Sequence, residues 1–468
     1  MSWQILFSPP AYAAAFEVFL LGAWMSGAVL SARWSGLGER WKPWVNVLSL
    51  VAGPVGWAVH GLAHFGGAQA RGAAGAEGAS GQAGLAYTIL AAALAEGASD
   101  IHIEAQEGGY AVRFRRLGLL REHQRVERKK GENLVTVFKV LAELNTAEKT
   151  HMQDGRFQWA EPKSGHVLDV RISASPSLSG ETVTLRLLNR PASLLQLDRI
   201  GLDAAGCEAI RRHLRRPEGL VLVAGPTGSG KTTTSYALLQ EVSGPAVNIV
   251  TIEDPVEYAL PHATQIGINT KMGVTFASGL RTVLRQDPNV IFMGEMRDQE
   301  SFAIGVRAAL SGHLVVSTLH ARDTVSALTA LRNRDLDRQV LADALRLLIS
   351  QRLVRELCPG CRVWSAPGDD MKEFFLLAAP PRALPERAGM PSPKGCPQCQ
   401  QGFIGRTGMF EILRVDAKIR AWMVDGESER ELRELLVERG VASLREDACD
   451  KLAAGTIWID DAVRALGM

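Results

Sequence analysis

Hydrophobic spacing changes along this chain and divides it into four stretches. Between residues 100 and 190, apolar and polar residues alternate in "DIHIE" around Ile101, "YAVRFRR" from Tyr110, "VLDVRIS" from Val167 and "TVTLRLL" from Thr182. A period of two predicts strands with one apolar face. Val170, Ile172, Leu185 and Leu187 share that face, so Arg171 and Arg186 fall on the other. The expectation is a small α/β domain over 85–190 whose arginines point outward, followed by a linker over 191–203.

From about residue 204 the pattern becomes short, wholly apolar runs separated by helical stretches. That alternation predicts a parallel sheet flanked by helices, here over 204–351. Beyond 352 come cysteines and then helices. In "SERELRELLVERG", Ser428 and Glu431 have capping-box spacing, and Leu432, Leu435 and Leu436 share one face.

The beginning of the chain is apolar without either period. Residues 18–32 carry no charge, and neither does the stretch from Pro43 to Ala70. A bilayer crossing needs about 20 apolar residues, so apolar, membrane-associated helices are expected over 1–65. No basic segment precedes the first stretch, which argues against a cleaved signal peptide. Tryptophans 24, 34, 41, 44 and 57 lie in or beside these stretches, as an interfacial belt places them. The loop between them holds Arg33, Arg40 and Lys42 against Glu39, which the positive-inside bias puts in the cytoplasm. Two full crossings conflict with that bias. Gly53-Pro54, His60 and His64 make a re-entrant or surface-lying second segment the alternative, and a buried helical hairpin the other. A Gly/Ala/Ser-rich tether, Gly66 to Gly84, follows.

The 468 residues allow about three domains at roughly 150 residues each. A net charge of +2 gives no broad electrostatic reason to expect nucleic acid as a partner. The dense basic run Arg121 to Glu132 reads as a solvated helix face. Of six cysteines, four form two Cys-x-x-Cys pairs, Cys358 with Cys361 and Cys396 with Cys399. Two such pairs point to a tetrahedral zinc held by four thiolates; a thioredoxin-like redox motif explains one pair but not two. Cys207 and Cys449 stand alone and read as small buried residues.

The sharpest chemical signal is "GLVLVAGPTGSGKTTT". An apolar strand meets Gly225, Pro226, Thr227, Gly228, Ser229, Gly230, Lys231 and Thr232, then a helix begins at that point. Glycines let backbone N–H groups close around phosphates, Lys231 reaches the outer phosphates, and the Thr232 hydroxyl suits magnesium. "VNIVTIEDPVEY" predicts a second strand ending in Glu253, Asp254 and Glu257, acids that with Pro255 also suit a helix start. "VIFMGEMRD" predicts a third strand, with Gly294 ahead of Glu295 where many nucleotide-hydrolysing proteins place an Asp. "GHLVVSTLH" predicts a fourth, Leu314 to Leu319, bracketed by His313 and His320; either a structural role or sensing of a terminal phosphate fits them.

In order, "GPTGSGKTTT", "IEDPVEY", "LRQDPNVIFMGEMRDQES" and "ALSGHLVVSTLHARDT" resemble the Walker A, Asp box, Walker B and His box of the type II secretion / type IV pilus assembly ATPase family. The resemblance extends upstream through "SDIHIE", "QDGRF" and "LDVRIS", and downstream through the cysteines and "GRTGMFEIL", covering about 85–468. Residues 1–84 do not resemble the docking domain many members carry. The resemblance implies a RecA-like P-loop ATPase domain, a preceding small PAS-like α/β domain, and a zinc-binding tetracysteine insert with a helical C-terminal part over 352–468. It implies ATP, Mg2+ and Zn2+, with Glu295 supporting the magnesium shell and Glu257 activating water. Thr233, Glu253, Asp254 and His313 would belong to the nucleotide site, His320 to catalysis, and Arg156 and Arg171 would bring positive charge to the phosphates. Arg281 and Arg285 also resemble arginines of the family's motifs. The implied machine is a homohexameric motor at the cytoplasmic face of the bacterial inner membrane, working on a membrane platform in secretion or pilus assembly. A conjugation-type nucleic-acid transfer ATPase is the alternative, opposed by the near-neutral charge and the cysteine insert. A non-hydrolysing membrane scaffold is opposed by the intact Lys231, Thr232 and Glu295.

Overall fold

The computed structural model describes residues 82–162, 164–188, 196–296, 298–378, 380–426 and 428–467. The helices expected over 1–65 and most of the tether lie outside them. Among the described residues, no helix is long and apolar enough to cross a membrane. The chain divides into two compact units, one ending at Asn189 and the other beginning at Arg190.

The first unit holds a helix, Gln82–Ala95, then β1 (Ala98–Gln106), β2 (Gly109–Arg116) and β3 (Leu119–Val126). A second helix, Arg128–Leu141, precedes β4 (Gln153–Ala160), β5 (Val167–Ser177) and β6 (Gly180–Leu188). The sheet order is β3-β2-β1-β6-β5-β4, antiparallel throughout. Its inner face carries Ile101, Ile103, Val170, Ile172 and Leu185, packed against Ile89 and Leu90 of the first helix and Leu134 and Phe138 of the second. Two expectations change. Residues 82–84, read as tether, are the start of the first helix. The basic run from Arg121 is not one helix face: residues up to Val126 belong to β3, and the helix starts at Arg128. Backbone pairing with β2 makes that segment a strand even though both of its sides are polar, and its charges suit a sheet edge.

The second unit is built on β7 (Gly219–Ala224), β8 (Ile249–Glu253), β9 (Ala263–Gly267), β10 (Val290–Met293), β11 (Leu314–Leu319), β12 (Leu345–Leu357) and β15 (Phe403–Arg414). The order is β15-β12-β7-β11-β10-β8-β9, parallel from β12 to β9, with β15 antiparallel at the edge. Every residue of β7, β8 and β10 is buried, because helices cover both faces; hence the continuous apolar runs in the sequence. Leu220, Leu222, Ile252 and Met293 face helices Phe276–Val283 and Gln299–Leu310. Val221, Val223 and Phe292 face helices Ala204–Leu214 and Lys231–Val242. Leu197 and Ile200, within the stretch read as linker, join this second layer as buried residues.

A boundary at 351/352 does not describe this unit. β12 runs through it, and β15 pairs with β12 from Leu347↔Arg414 to Leu357↔Phe403. The cysteine segment is therefore an insertion between two strands of one sheet. It holds β13 (Val363–Ser365) paired with β14 (Ala388–Met390) and the helix Asp369–Leu376. Helices Ala417–Asp425 and Glu429–Glu438 bury Trp422, Met423 and Leu432 in the core beside the sheet. The expected capping box is present: the Glu431 N–H donates to Ser428 Oγ at 3.3 Å, and the Ser428 N–H to Glu431 Oε2 at 3.0 Å. No helix starts at the Asp254-Pro255 acids; the segment from β8 to β9 is a loop.

Candidate functional site

Gly225 to Gly230 turn the chain from β7 into the helix Lys231–Val242. Gly228 (φ 78°) and Gly230 (φ 90°) lie in the left-handed region that only glycine enters without strain. A Cβ on Gly230 would also stand 3.0 Å from Gln351 Nε2 and 3.1 Å from Leu353 Cδ1. The Lys231 ammonium folds back and donates to the carbonyls of Gly225 (2.8 Å) and Pro226 (3.1 Å). Burial pulls its pKa down, Glu295 opposes that, and Arg352 adds to it. Thr232 and Thr233 open the helix, so their hydroxyls stand where the helix N-terminus favours anions.

Two residues that the sequence reading missed lie beside this loop, and Gln351 bonds it directly. Gln351 Nε2 donates to the Ser229 carbonyl at 2.6 Å, and Arg352 donates to the carbonyls of Gln351 (2.9 Å) and Arg322 (2.6 Å). The signal available was a polar pair inside the apolar run "LLISQRLV".

Parallel pairing sets the other groups beside the loop. Met293 pairs with both Ile252 and Ser317, so the C-terminal ends of β8, β10 and β11 are level. Ligands bind outside that end in open α/β sheets. Glu295 stands there with His320, whose Nε2 is 3.5 Å from Glu295 Oε1. Ser317 Oγ and Thr318 Oγ1 donate to the carbonyls of Met293 (2.8 Å) and Gly294 (2.7 Å), fixing the backbone that carries Glu295. Asp254 is exposed and Glu257 half-buried on the loop after β8. Glu253, expected to face nucleotide, is 2% exposed and turned into the protein. It accepts hydrogen bonds from Tyr236 Oη, Thr251 Oγ1 (2.6 Å) and Gln265 Nε2 (3.1 Å), and burial pushes its pKa up.

His313 is a correction. It precedes β11, at the opposite end of the sheet from the phosphate loop, where its carbonyl accepts from the Gly219 N–H at 3.1 Å. β7 then runs six residues before the loop, a separation of about 20 Å at roughly 3.3 Å per residue. Its Nδ1 lies 3.1 Å from the Ala308 carbonyl oxygen, a local contact that closes the preceding turn. Arg281 pairs with Glu300 at the surface, and Arg285 is exposed.

In the first unit, Arg156 lies directly opposite Arg171, and Arg171 opposite Arg186, across β4, β5 and β6. Asp100 of β1 continues the row, opposite Arg186 on one side and Arg115 on the other. It accepts from Arg186 Nε at 3.0 Å and lies 3.5 Å from Arg115 Nε. Arg156 and Arg171 sit at the end of the row away from that carboxylate.

The four paired cysteines converge. Their sulfurs all lie within 4.8 Å of one another, with Cys358–Cys396 at 3.7 Å and Cys361–Cys399 at 3.6 Å. Four thiolates at a Zn–S distance of about 2.3 Å on a tetrahedron are about 3.8 Å apart, so the donor set fits zinc. Two tight turns aim the sulfurs, with the Cys361 N–H reaching the Cys358 carbonyl and the Cys399 N–H the Cys396 carbonyl. Burial pushes the Cys399 thiol up, but the backbone N–H groups of Cys396 and Gly402 outweigh it and bring it to about 7. Cys207 and Cys449 are buried elsewhere.

A phosphate loop beside carboxylates at the ends of neighbouring parallel strands defines a P-loop nucleotide-binding α/β protein. The chain belongs to the Type II/IV secretion system protein family, whose model matches residues 78–464. It is 40% identical over 378 residues to the "Type II secretion system ATPase E" of Vibrio cholerae serotype O1, covering 80% of this chain and 73% of that relative. It is 41% identical over 377 residues to the "Type II secretion system protein E" of Aeromonas hydrophila, covering 80% and 74%. Among solved structures, the Yersinia pseudotuberculosis ATPase DotB superposes with a TM-score of 0.62 at 21% identity, over 83% of this chain and 94% of that one. The pilus retraction motor PilT with bound ADP gives 0.56 at 24%, over 81% and 96%. These two likenesses concern the fold.

Proposed function

We propose that this chain is an ATP-hydrolysing motor that powers pseudopilus or pilus assembly, in type II protein secretion or type IV pilus biogenesis, as a homohexamer at the cytoplasmic face of the bacterial inner membrane. The observation that carries the reading is the placement of Lys231, Glu295 and His320 at one end of one parallel sheet, on a phosphate loop closed by Gly228 and Gly230.

The residues divide the work. Backbone N–H groups within 227–232 hold the phosphates, and Lys231 exchanges its two carbonyl partners for outer phosphate oxygens. Thr232 and Glu295 are the residues that would hold magnesium, which when bound neutralises charge developing on the transferred phosphoryl group. Glu257 accepts the proton of the attacking water. His320, 3.5 Å from Glu295, reports the terminal phosphate in this reading. The arginine row of the first unit suits an anion, because planar guanidinium groups match phosphate oxygens. Cys358, Cys361, Cys396 and Cys399 would hold zinc in a structural role.

Phosphate release measured with ATP across a range of protein concentrations tests the reading. Activity per chain is expected to rise with concentration, to be independent of added DNA, and to fall sharply in Arg156→Ala. A fully active monomer by light scattering, or an intact chain with no hydrolysis in the presence of membranes and platform proteins, overturns it.

A further inference from the structure

The loop from Asp254 to His262 carries Glu257 and has no helix or strand of its own. Its shape therefore depends on side chains that reach it from elsewhere. Two do. Tyr236, fully buried on the helix that follows the phosphate loop, donates its hydroxyl proton to Glu253 Oε2 and accepts from the Glu257 backbone N–H. Its ring meets Tyr258 edge-on, with centroids 4.6 Å apart. Gln265, on β9, shares its Nε2 hydrogens among Glu253 Oε1 (3.1 Å), Tyr236 Oη (3.3 Å) and the Tyr258 carbonyl (3.2 Å), while its Oε1 accepts from the Leu260 N–H at 2.7 Å. The backbone is thus held at Glu257, Tyr258 and Leu260.

We propose that Tyr236 and Gln265 are positioning residues that set the place of Glu257, with the buried Glu253 carboxylate as the anchor that orients both of them. This rests on the reading of Glu257 as the acid that activates water. Glu253 then contributes to catalysis without touching nucleotide: Thr251 Oγ1 at 2.6 Å fixes its carboxylate, which fixes the phenol and the amide, which fix the loop. Tyr236 also ties the loop to the phosphate-loop helix, so the base and the phosphates are located by one rigid element.

The test uses the full chain and measures kcat, KM and affinity for a non-hydrolysable ATP analogue. Tyr236→Phe and Gln265→Asn (too short to span the loop) are each expected to lower kcat by about 10- to 100-fold, the cost of misplacing a reacting group by about 1 Å, with KM and analogue affinity within about 2-fold. Glu253→Gln keeps an acceptor and adds a donor, so it is expected to lose far less than Glu253→Leu. Hydrogen exchange of residues 254–262 should rise in Gln265→Asn while exchange in β7 and β10 stays unchanged, a readout that holds even if Tyr236→Phe folds poorly. Normal kcat in Gln265→Asn, or Glu253→Gln as inactive as Glu257→Gln, overturns the proposal. A fully active Glu257→Gln instead removes the reading on which it rests.

Discussion

Gln351 and Ser229 lie 122 positions apart and are joined by one buried hydrogen bond, from Gln351 Nε2 to the Ser229 carbonyl at 2.6 Å. The bond exists because β12 outruns β7. β7 pairs with β12 only as far as Ala224↔Ser350, and the phosphate loop then fills the open edge of β12. Gln351→Leu removes the donor and leaves a buried carbonyl unpaired. A stability loss of about 1–3 kcal/mol is expected by denaturant unfolding, with weaker ATP-analogue binding from a less ordered loop. Unchanged affinity and stability would show that the loop holds its shape without this support.

Lys231→Ala should abolish hydrolysis, because the phosphate loop loses the ammonium that meets the outer phosphates. Phosphate release is the measurement, and far-UV circular dichroism should be unaltered.

Glu295→Gln and Glu257→Gln should both bind ATP and turn it over slowly. For Glu257→Gln the loss is about 100-fold or more, as for removal of a positioned base. Glu295→Gln should show a raised magnesium requirement in the same assay, whereas Glu257→Gln should not. That difference separates the two roles.

Cys396→Ser should lose zinc, read by metal analysis of protein purified without chelators, and should loosen the insertion, since structural zinc sites contribute folding energy outright. ATP-analogue binding should survive, because the phosphate loop is held by β7 and Gln351. Wild-type protein free of zinc under the same conditions would sink the assignment.

Arg355 and Asp461 form a buried pair with two contacts of 2.8 Å, and the guanidinium lies 3.8 Å from the Phe403 ring centroid. Arg355→Ala leaves the carboxylate buried with only Arg464 at 3.4 Å. A loss of about 3 kcal/mol is expected on thermal or denaturant unfolding, concentrated in the helix Ile459–Leu466.

The parts of this molecule legible in its sequence are those whose geometry is local. The phosphate loop, the Ser428 cap and the paired cysteine turns are each set within a few neighbouring residues. The alternating strands of the first unit were readable because one face is dry. β3 was not, since a charged edge strand carries no period, and neither were the supports of the loops. Gln351 on Ser229 and Gln265 on Leu260 depend on which strands become neighbours, which hydrophobic spacing does not encode. Glu253 shows the same limit: its place at a strand end was clear, but its direction follows from Tyr236 on the helix packed beside it. The His313 expectation fails on simple length, because six residues of strand separate it from His320.

Beyond Ser350, β12 keeps β15 as its strand partner until Leu357↔Phe403, while its other edge meets the phosphate loop at Gln351 and then Thr456 and Ile457 at its far end; Cys358 follows at once. From Gln351 to Cys358 is about 23 Å of continuous strand at roughly 3.3 Å per residue. The segment is a beam braced near its tip by the Glu356–Ile457 bridge and the Arg355–Asp461 pair. It is clamped where the sheet is widest and loaded at its tip by four converging sulfurs. A force applied to the insertion would have this braced strand as its covalent path to Gln351, whose side chain holds the phosphate loop. A flexible hinge there would absorb the same force.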